Sequence, residues 1–307
     1  PSSWTKAVTL RGAGCYEGAE NTREVTFIGN AFKLAIPVEI ETTMTIEGIN
    51  FKSDFSFSTK VKNTTFLKCH FTMVSGVSCN TNFYNCILNG LTFSASETEV
   101  ADVNLFNCYV DNPNNFSSYV SVKFTNCVIL FSSYTNEYID HVGHRRYGAS
   151  MMRYARYNNC ILSGDNQSDI NQVEIPTTCT ATYCLSCYCA YTPAVDTETE
   201  TKDAVYDYNI FDEMSNTTNI YLEEGKPLNK TISSVFKTYH GTSSFTFNET
   251  YELTDEAKAT YLGSDGTQVG LYGGMGFDLV PSTLQITKCE VSPRSTKDGK
   301  LSVKIEV

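Results

Sequence analysis

The sequence predicts an all-β protein, a single-stranded parallel β-helix of about nine or more coils with a small β-hairpin closing its C-terminal end. Three observations carry this expectation. A seven-residue pattern recurs along much of the chain, and its spacing is near 20 residues, the length of one coil. The third position of the pattern is usually Gly or Asn, the residues that tolerate a left-handed bend. Nineteen Tyr and eighteen Phe against one Trp, in a background rich in Thr, Ser and Asn, favour strands and turns over helices.

The copies are TFIGNAF (26–32), TIEGINF (45–51), TFLKCHF (65–71), NFYNCIL (82–88), NLFNCYV (104–110), KFTNCVI (123–129) and RYNNCIL (156–162), with a looser YNIF around Ile210. Each reads as an apolar anchor, a free position, a Gly or Asn or its substitute, usually Cys, a free position and a second apolar residue. The Cys slot falls at Asn30, Ile49, Cys69, Cys86, Cys108, Cys127, Cys160 and Ile210, in steps of 19, 20, 17, 22, 19, 33 and 50. Placing Cys187 in the slot divides the last step into 27 and 23, with Cys184 as anchor and Cys189 as second apolar residue. Nine coils stacked at about 4.8 Å give a rod of roughly 40 Å. The bend column then holds Gly29, Gly48, Lys68, Asn85, Asn107, Asn126, Asn159, Ser186 and Asn209. Stacked asparagines in such a column are expected to hydrogen-bond from coil to coil as a ladder.

The stretch CTATYCLSCYCAY (179–191) therefore reads as one more coil and not as a metal knuckle. It lacks the two separated CxxC pairs of a zinc site. Cysteine serves here as a small, buriable filler of a narrow interior, and aligned side chains on parallel strands seldom offer the dihedral of a disulfide. No metal ligand is assigned.

Two inserts and a tail complete the chain. YTNEYIDHVGHRRYGASMMRYARY (134–157) lengthens one coil and is the main concentration of cations. VDTETETKD (195–203) reads as a solvated acidic loop. After Ile210 the period fades, and GSDGTQVGLYGGMGFDLVPS (263–282) leads into two alternating runs, TLQITKCEVS and KLSVKIEV, joined by a KDG turn. They are expected to pair as a hairpin over the open edge of the last coil. The division is a β-helix over 1–277 and a hairpin cap, or the start of a small β module, over 278–307.

A net charge of -11 and a pI near 4.9 exclude a nucleic-acid binder and oppose docking on anionic membranes. No apolar run of about 18 residues encodes a transmembrane helix. PSSWTKAVTL lacks the basic and apolar regions of a signal peptide, so any leader is expected to have been removed.

The NC-containing coils over 26–211 resemble right-handed parallel β-helix proteins of the pectin lyase-like superfamily. The tail YELTDEAKATYLGSDGTQVGLYGG (251–274) looks like the terminal coil of secreted bacterial β-helix proteins, especially uncharacterised surface proteins of gut bacteria. The resemblance implies a right-handed coil and an extracellular or cell-surface location. Because that superfamily spans lyases, hydrolases and adhesins, it leaves several activities open. YIDH (138–141) is similar to the WIDH segment of pectate lyases. On that likeness Asp140 and His141 take the acidic and histidine positions, and Arg145 or Arg146 the base that removes a proton beside a uronate carboxylate. Tyr138 replaces the Trp, and the Arg-x-Pro-x-x-Arg motif of those lyases is missing.

A glycoside hydrolase needs paired carboxyls, and Asp140, Asp165 and Asp169 are the candidates, without the DD, NTD or GHG fragments of the glycosidase members. GLYGGMG (270–276) lacks the GK[ST] of a phosphate loop. His70, His141, His144 and His240 form no metal motif, no cofactor is required, and calcium is possible through acidic loops. The leading expectation is a non-catalytic rod, monomeric, that binds a polysaccharide or glycoconjugate. Tyr, Asn and Thr on a stacked sheet suit sugar rings, and Tyr134, Tyr138, His144, Tyr147 and Tyr154 form the nearest local cluster, with Tyr157 kept for the core. The alternative is a polysaccharide lyase acting on uronate-containing glycans.

Overall fold

The computed structural model describes residues 9–15, 26–29, 32–34, 43–57, 63–77, 79–93, 100–111, 113–114, 119–131, 136–139, 145–150, 154–164, 172–175, 180–187, 190–193, 210–211, 226–227, 232–238, 251–282, 288–291 and 303–306. Parallel strands stack in register as a β-solenoid. The first sheet has eight: Thr9–Arg11, Met44–Glu47, Asn63–Leu67, Asn80–Tyr84, Ala101–Phe106, Val120–Thr125, Ala155–Asn158 and Thr180–Thr182. The second has ten, beginning Thr26–Ile28, Ile49–Phe51, His70–Phe71, Ile87–Leu88 and Tyr109–Asp111. It continues through Val128–Phe131, Ile161–Gly164, Leu185–Cys187, Ile210–Phe211 and Lys226–Pro227. The third has five: Phe32–Leu34, Phe55–Phe57, Val74–Val77, Leu91–Phe93 and Pro113–Asn114.

The solenoid has about four turns and not the nine that the Cys-slot count predicts, and strands of all three sides occur only between residues 9 and 114 among the described residues. The recurring spacing marks the bend between the first two sheets, and that bend outlasts the complete coil. Beyond Asn114 the third side passes to a separate four-stranded sheet. It contains Asn136–Ile139 paired antiparallel with Arg145–Ser150, then Gln172–Ile175 and Ala190–Pro193 in parallel.

The bend column is largely as expected. Gly48, Lys68, Asn85, Asn107, Asn126 and Asn159 all have φ between 49° and 68°. Each N–H donates to a carbonyl of the next coil, as from Asn85 to Phe106 O at 3.0 Å and from Asn107 to Thr125 O at 3.1 Å. At three places the register differs. Thr26, not Asn30, stands beside Ile49, so the earliest pattern copy is a second-sheet strand. Tyr183, at φ 55°, takes the bend, so Cys184 and not Cys187 fills the slot beyond Cys160. Ile210 pairs with Leu185, one position past the slot. Cysteine-rich sequence fits the template in two registers, and only the hydrogen-bonded ladder chooses between them.

Inward anchors stack as Ile46, Phe66, Phe83, Leu105, Phe124, Tyr157 and Ala181, all fully buried. Phe66 lies on Phe83 at 5.0 Å and Phe124 on Tyr157 at 4.9 Å between ring centroids, nearly parallel, because in-register coils put like positions one spacing apart. Cys69, Cys86, Cys108, Cys127, Cys160 and Cys184 form a second column of free, buried thiols. Each thiol donates to the carbonyl two residues before it, at 3.2–3.4 Å. The Cys86 and Cys108 N–H groups each donate to the sulfur of the next coil, at 3.4 and 3.5 Å. The bend turns these N–H groups along the rod, and sulfur is the acceptor within reach. Burial holds the Cys69, Cys108 and Cys160 thiols protonated, well above the ordinary thiol range.

Residues 251–282 add no strand to the three long sheets, and 263–282 run back along the outside of the rod as a strap. A short helix, Asp255–Thr260, capped by Thr254 Oγ1 accepting from Ala257 N, precedes it. Tyr251, Leu253, Ala257, Tyr261, Val269, Leu271 and Leu279 cover the outer face of the second sheet, where Ile87, Tyr109, Val128, Ile161 and Leu185 are buried. The bend column is the track. Ser264 N and Oγ donate to Asn159 Oδ1 at 2.9 and 3.1 Å, and Gly270 N donates to Asn159 O at 2.8 Å. Asn107 Nδ2 donates to Leu271 O at 2.7 Å and Gly273 O at 2.6 Å. Lys68 Nζ pairs with Asp278 at 2.7 Å and donates to Val280 O. Ser282 N and Oγ donate to the buried Glu47 carboxylate at 2.7 and 2.6 Å, with the Arg11 guanidinium 3.3 Å from its other oxygen. Among the described residues of the bend column, the expected asparagine ladder reduces to one coil-to-coil side-chain contact, Asn159 Nδ2 to Asn126 Oδ1 at 3.4 Å. A backbone carbonyl outside the coil is the better acceptor for an amide that points outward. The tail is thus a strap and not a terminal coil. Lys288–Val291 and Val303–Glu306 do pair antiparallel, as the two alternating runs predict.

Candidate ligand-binding face

Alternation in the first sheet sends every second side chain outward. Ala101–Phe106 and Val120–Thr125 bury one set and expose or half-expose the other. With the anchors inward, the residue before each anchor and the residue after it must face out. Register then builds two outward rows: Thr65, Asn82, Asn104, Lys123 and Arg156, and beside them Leu67, Tyr84, Phe106, Thr125 and Asn158. Tyr84 and Phe106 stack at 5.0 Å with planes 8° apart and remain half-buried. Asn104 Nδ2 donates to Asn82 Oδ1 at 3.1 Å, and Thr182 Oγ1 to Asn158 Oδ1 at 2.7 Å. The amide pair keeps one carbonyl and one amino group of its set free for a ligand. The result is a ribbed face of paired amides, a two-ring platform and then two exposed cations, arranged along the rod axis.

The sites expected on the insert are only partly on view. Tyr134, Asp140, His141 and His144 lie outside the described residues, as do Asp165, Asp169 and His240. Tyr138 stands opposite Arg146, and Ile139 opposite Arg145, in the antiparallel pair; Tyr147 stands opposite Glu137. Tyr154 occupies the turn entering Ala155–Asn158, at φ 56° and partly exposed, and its carbonyl accepts from Val122 N. Tyr157 is fully buried in the anchor column, as expected.

Among the described residues no cluster of three or more His, Cys, Asp and Glu is placed to hold a metal ion. Asp265 Oδ1 is turned to Thr267 N and Oγ1, at 2.9 and 2.8 Å. The GLYGGMG stretch lies against the bend column, where a Cβ on Gly273 would meet Asn126 Nδ2 at 2.2 Å, so it presents no open phosphate cradle there. Among the described residues no helix is long and apolar enough to cross a membrane.

No family model, curated protein or solved structure matches the chain.

His70 is the described histidine, and its setting is structural. Asn50 Nδ2 donates to Cys15 O at 2.8 Å and lies 3.0 Å from His70 Nδ1, which makes Nδ1 an acceptor. On the other side of the ring, Asn89 Nδ2 lies 3.1 Å from Nε2. Burial lowers its pKa to about 4.

The sequence reading centred on the insert and passed over Tyr84, Phe106, Lys123 and Arg156. A signal for them was present: all four occupy the positions on either side of an anchor. Once the anchor is inward, the strand period places them outward together.

Proposed function

We propose that the protein is an exported, right-handed β-helix rod of the bacterial cell surface that binds carbohydrate without transforming it. The observation that carries this reading is the outward face of the first sheet. There the Tyr84–Phe106 platform, half-exposed and flanked by Asn82 and Asn104, joins apolar ring faces to fixed amides in one flat row. Sugars present the complementary pattern, C–H faces for stacking and hydroxyls for amide hydrogen bonds. A rigid parallel sheet supplies these groups at low entropic cost, because the ladder already holds them.

The test is a panel of pectin, alginate, hyaluronan, chondroitin and mucin glycans, with binding and unsaturated-uronate absorbance followed in parallel. Binding without product that is lost in Tyr84→Ala and Phe106→Ala supports the reading. Product that disappears in Arg145→Ala/Arg146→Ala would replace it with lyase chemistry at the insert, where Tyr138 and Arg146 are register partners. Silence in both channels would leave a structural surface rod.

A further inference from the structure

Lys123 and Arg156 are register partners on adjacent strands of the first sheet, and both are exposed. Like charges directly opposite each other in a sheet are unfavourable. In a chain of net charge -11, acids to relieve them are plentiful elsewhere. Other described cations have been given them: Arg11 meets Glu47 at 3.3 Å, Lys68 meets Asp278 at 2.7 Å, and Lys237 and Lys258 share Glu252 at 2.8 and 2.6 Å. Among the described residues Lys123 and Arg156 form no ion pair. Asp102 is on the same face, yet its register partner is Ser121, diagonal to Lys123.

We propose that this cation pair is the anion subsite of the carbohydrate face, and that its ligand is a glycan bearing an isolated carboxylate or sulfate among neutral sugars. The inference rests on the carbohydrate reading above and sharpens it. Tyr84 and Phe106 stand on two successive coils, and Lys123 and Arg156 on the next two. A ligand spanning both lies along the rod and crosses three coil spacings, about 15 Å. That reach calls for a short oligosaccharide and exceeds a single sugar ring. Its neutral part stacks on the platform, with Asn82 and Asn104 at its edge, and its oxyanion meets the guanidinium fork and the ammonium together. The same charge balance disfavours dense polyanions, because only two cations are offered against the field of a strongly acidic protein.

The test uses the full chain against four immobilised ligands: a neutral oligosaccharide, the same glycan with one carboxylate, the same glycan with one sulfate, and heparin. The singly charged glycans are expected to bind about tenfold more tightly than the neutral one, with that advantage shrinking as salt rises. Lys123→Ala/Arg156→Ala should erase the advantage of the charged glycans over the neutral one. The carboxylate and sulfate arms identify the oxyanion. Equal binding of neutral and charged glycans, or an advantage that survives the double substitution, overturns the inference. Heparin binding tightest of all overturns the isolated-charge requirement. If the neutral glycan binds and depends on Tyr84 while charge makes no difference, only this inference falls; if none of the four binds, the carbohydrate reading falls with it.

Discussion

Replacing Asn107 separates the two roles of the bend column. Its side chain is buried and donates to Leu271 O and Gly273 O, and its backbone sits at φ 49°. Asn107→Gly keeps the left-handed bend without penalty but leaves both strap carbonyls without their donor. At 1–3 kcal/mol for each unmet buried acceptor, less what water recovers, the loss is about 2–4 kcal/mol. Asn107→Ala adds the cost of a Cβ in the left-handed region, about 1 kcal/mol more. Urea unfolding followed by far-UV circular dichroism gives both differences, and limited proteolysis reads whether the 263–282 strap has lifted. A Gly variant within about 0.5 kcal/mol of wild type would show that the strap is not held by this amide. Equal losses in Gly and Ala variants would refute the backbone part of the reasoning.

Three further outcomes are expected. His70 binds its proton more weakly folded than unfolded, so its contribution to stability is complete above about pH 6.5 and declines as pH falls toward 4. The loss is on the order of 3 kcal/mol, and a His70→Gln variant should show a flatter profile over that window in thermal melts; parallel profiles would refute it. Asp278 and Glu252, whose lysine partners hold their carboxyls below the usual range, act only at lower pH. The eight described thiols should resist Ellman's reagent in the folded protein and react on unfolding, and elemental analysis should find no stoichiometric zinc; fast native reaction would contradict the buried column. Gly270 has φ +82° and a Cβ there would lie 2.3 Å from Ile161 Cδ1, so Gly270→Ala should cost roughly 2–3 kcal/mol. Ile161→Val removes that methyl, and the double variant should recover part of the loss in a thermodynamic cycle.

The repeat was legible because it records a local demand made on each coil. An inward anchor, a left-handed residue and a small buried side chain must follow in that order wherever the chain turns from the first sheet to the second. Phe83–Asn85–Cys86 and Leu105–Asn107–Cys108 satisfy it visibly, and the solenoid follows from them. The coil count was not legible, because the third side carries no such demand and a separate sheet replaces it beyond Asn114. Nor was the register at the cysteine cluster, where Cys184 and Cys187 satisfy the same template and only pairing of Leu185 with Ile161 decides.

What the sequence determined by itself, then, was the class of fold, the bend column and the inward set, all of which depend on neighbours a few residues apart. The tertiary structure decided what lies against the bends. Asn107 and Leu271 are 164 positions apart, and nothing in the period of either segment announces that one donates to the other. The same holds for the face that gathers Tyr84, Phe106, Lys123 and Arg156. Each is an unconstrained position in its own coil, and they become one surface only when the coils stack at the fixed spacing of hydrogen-bonded strands.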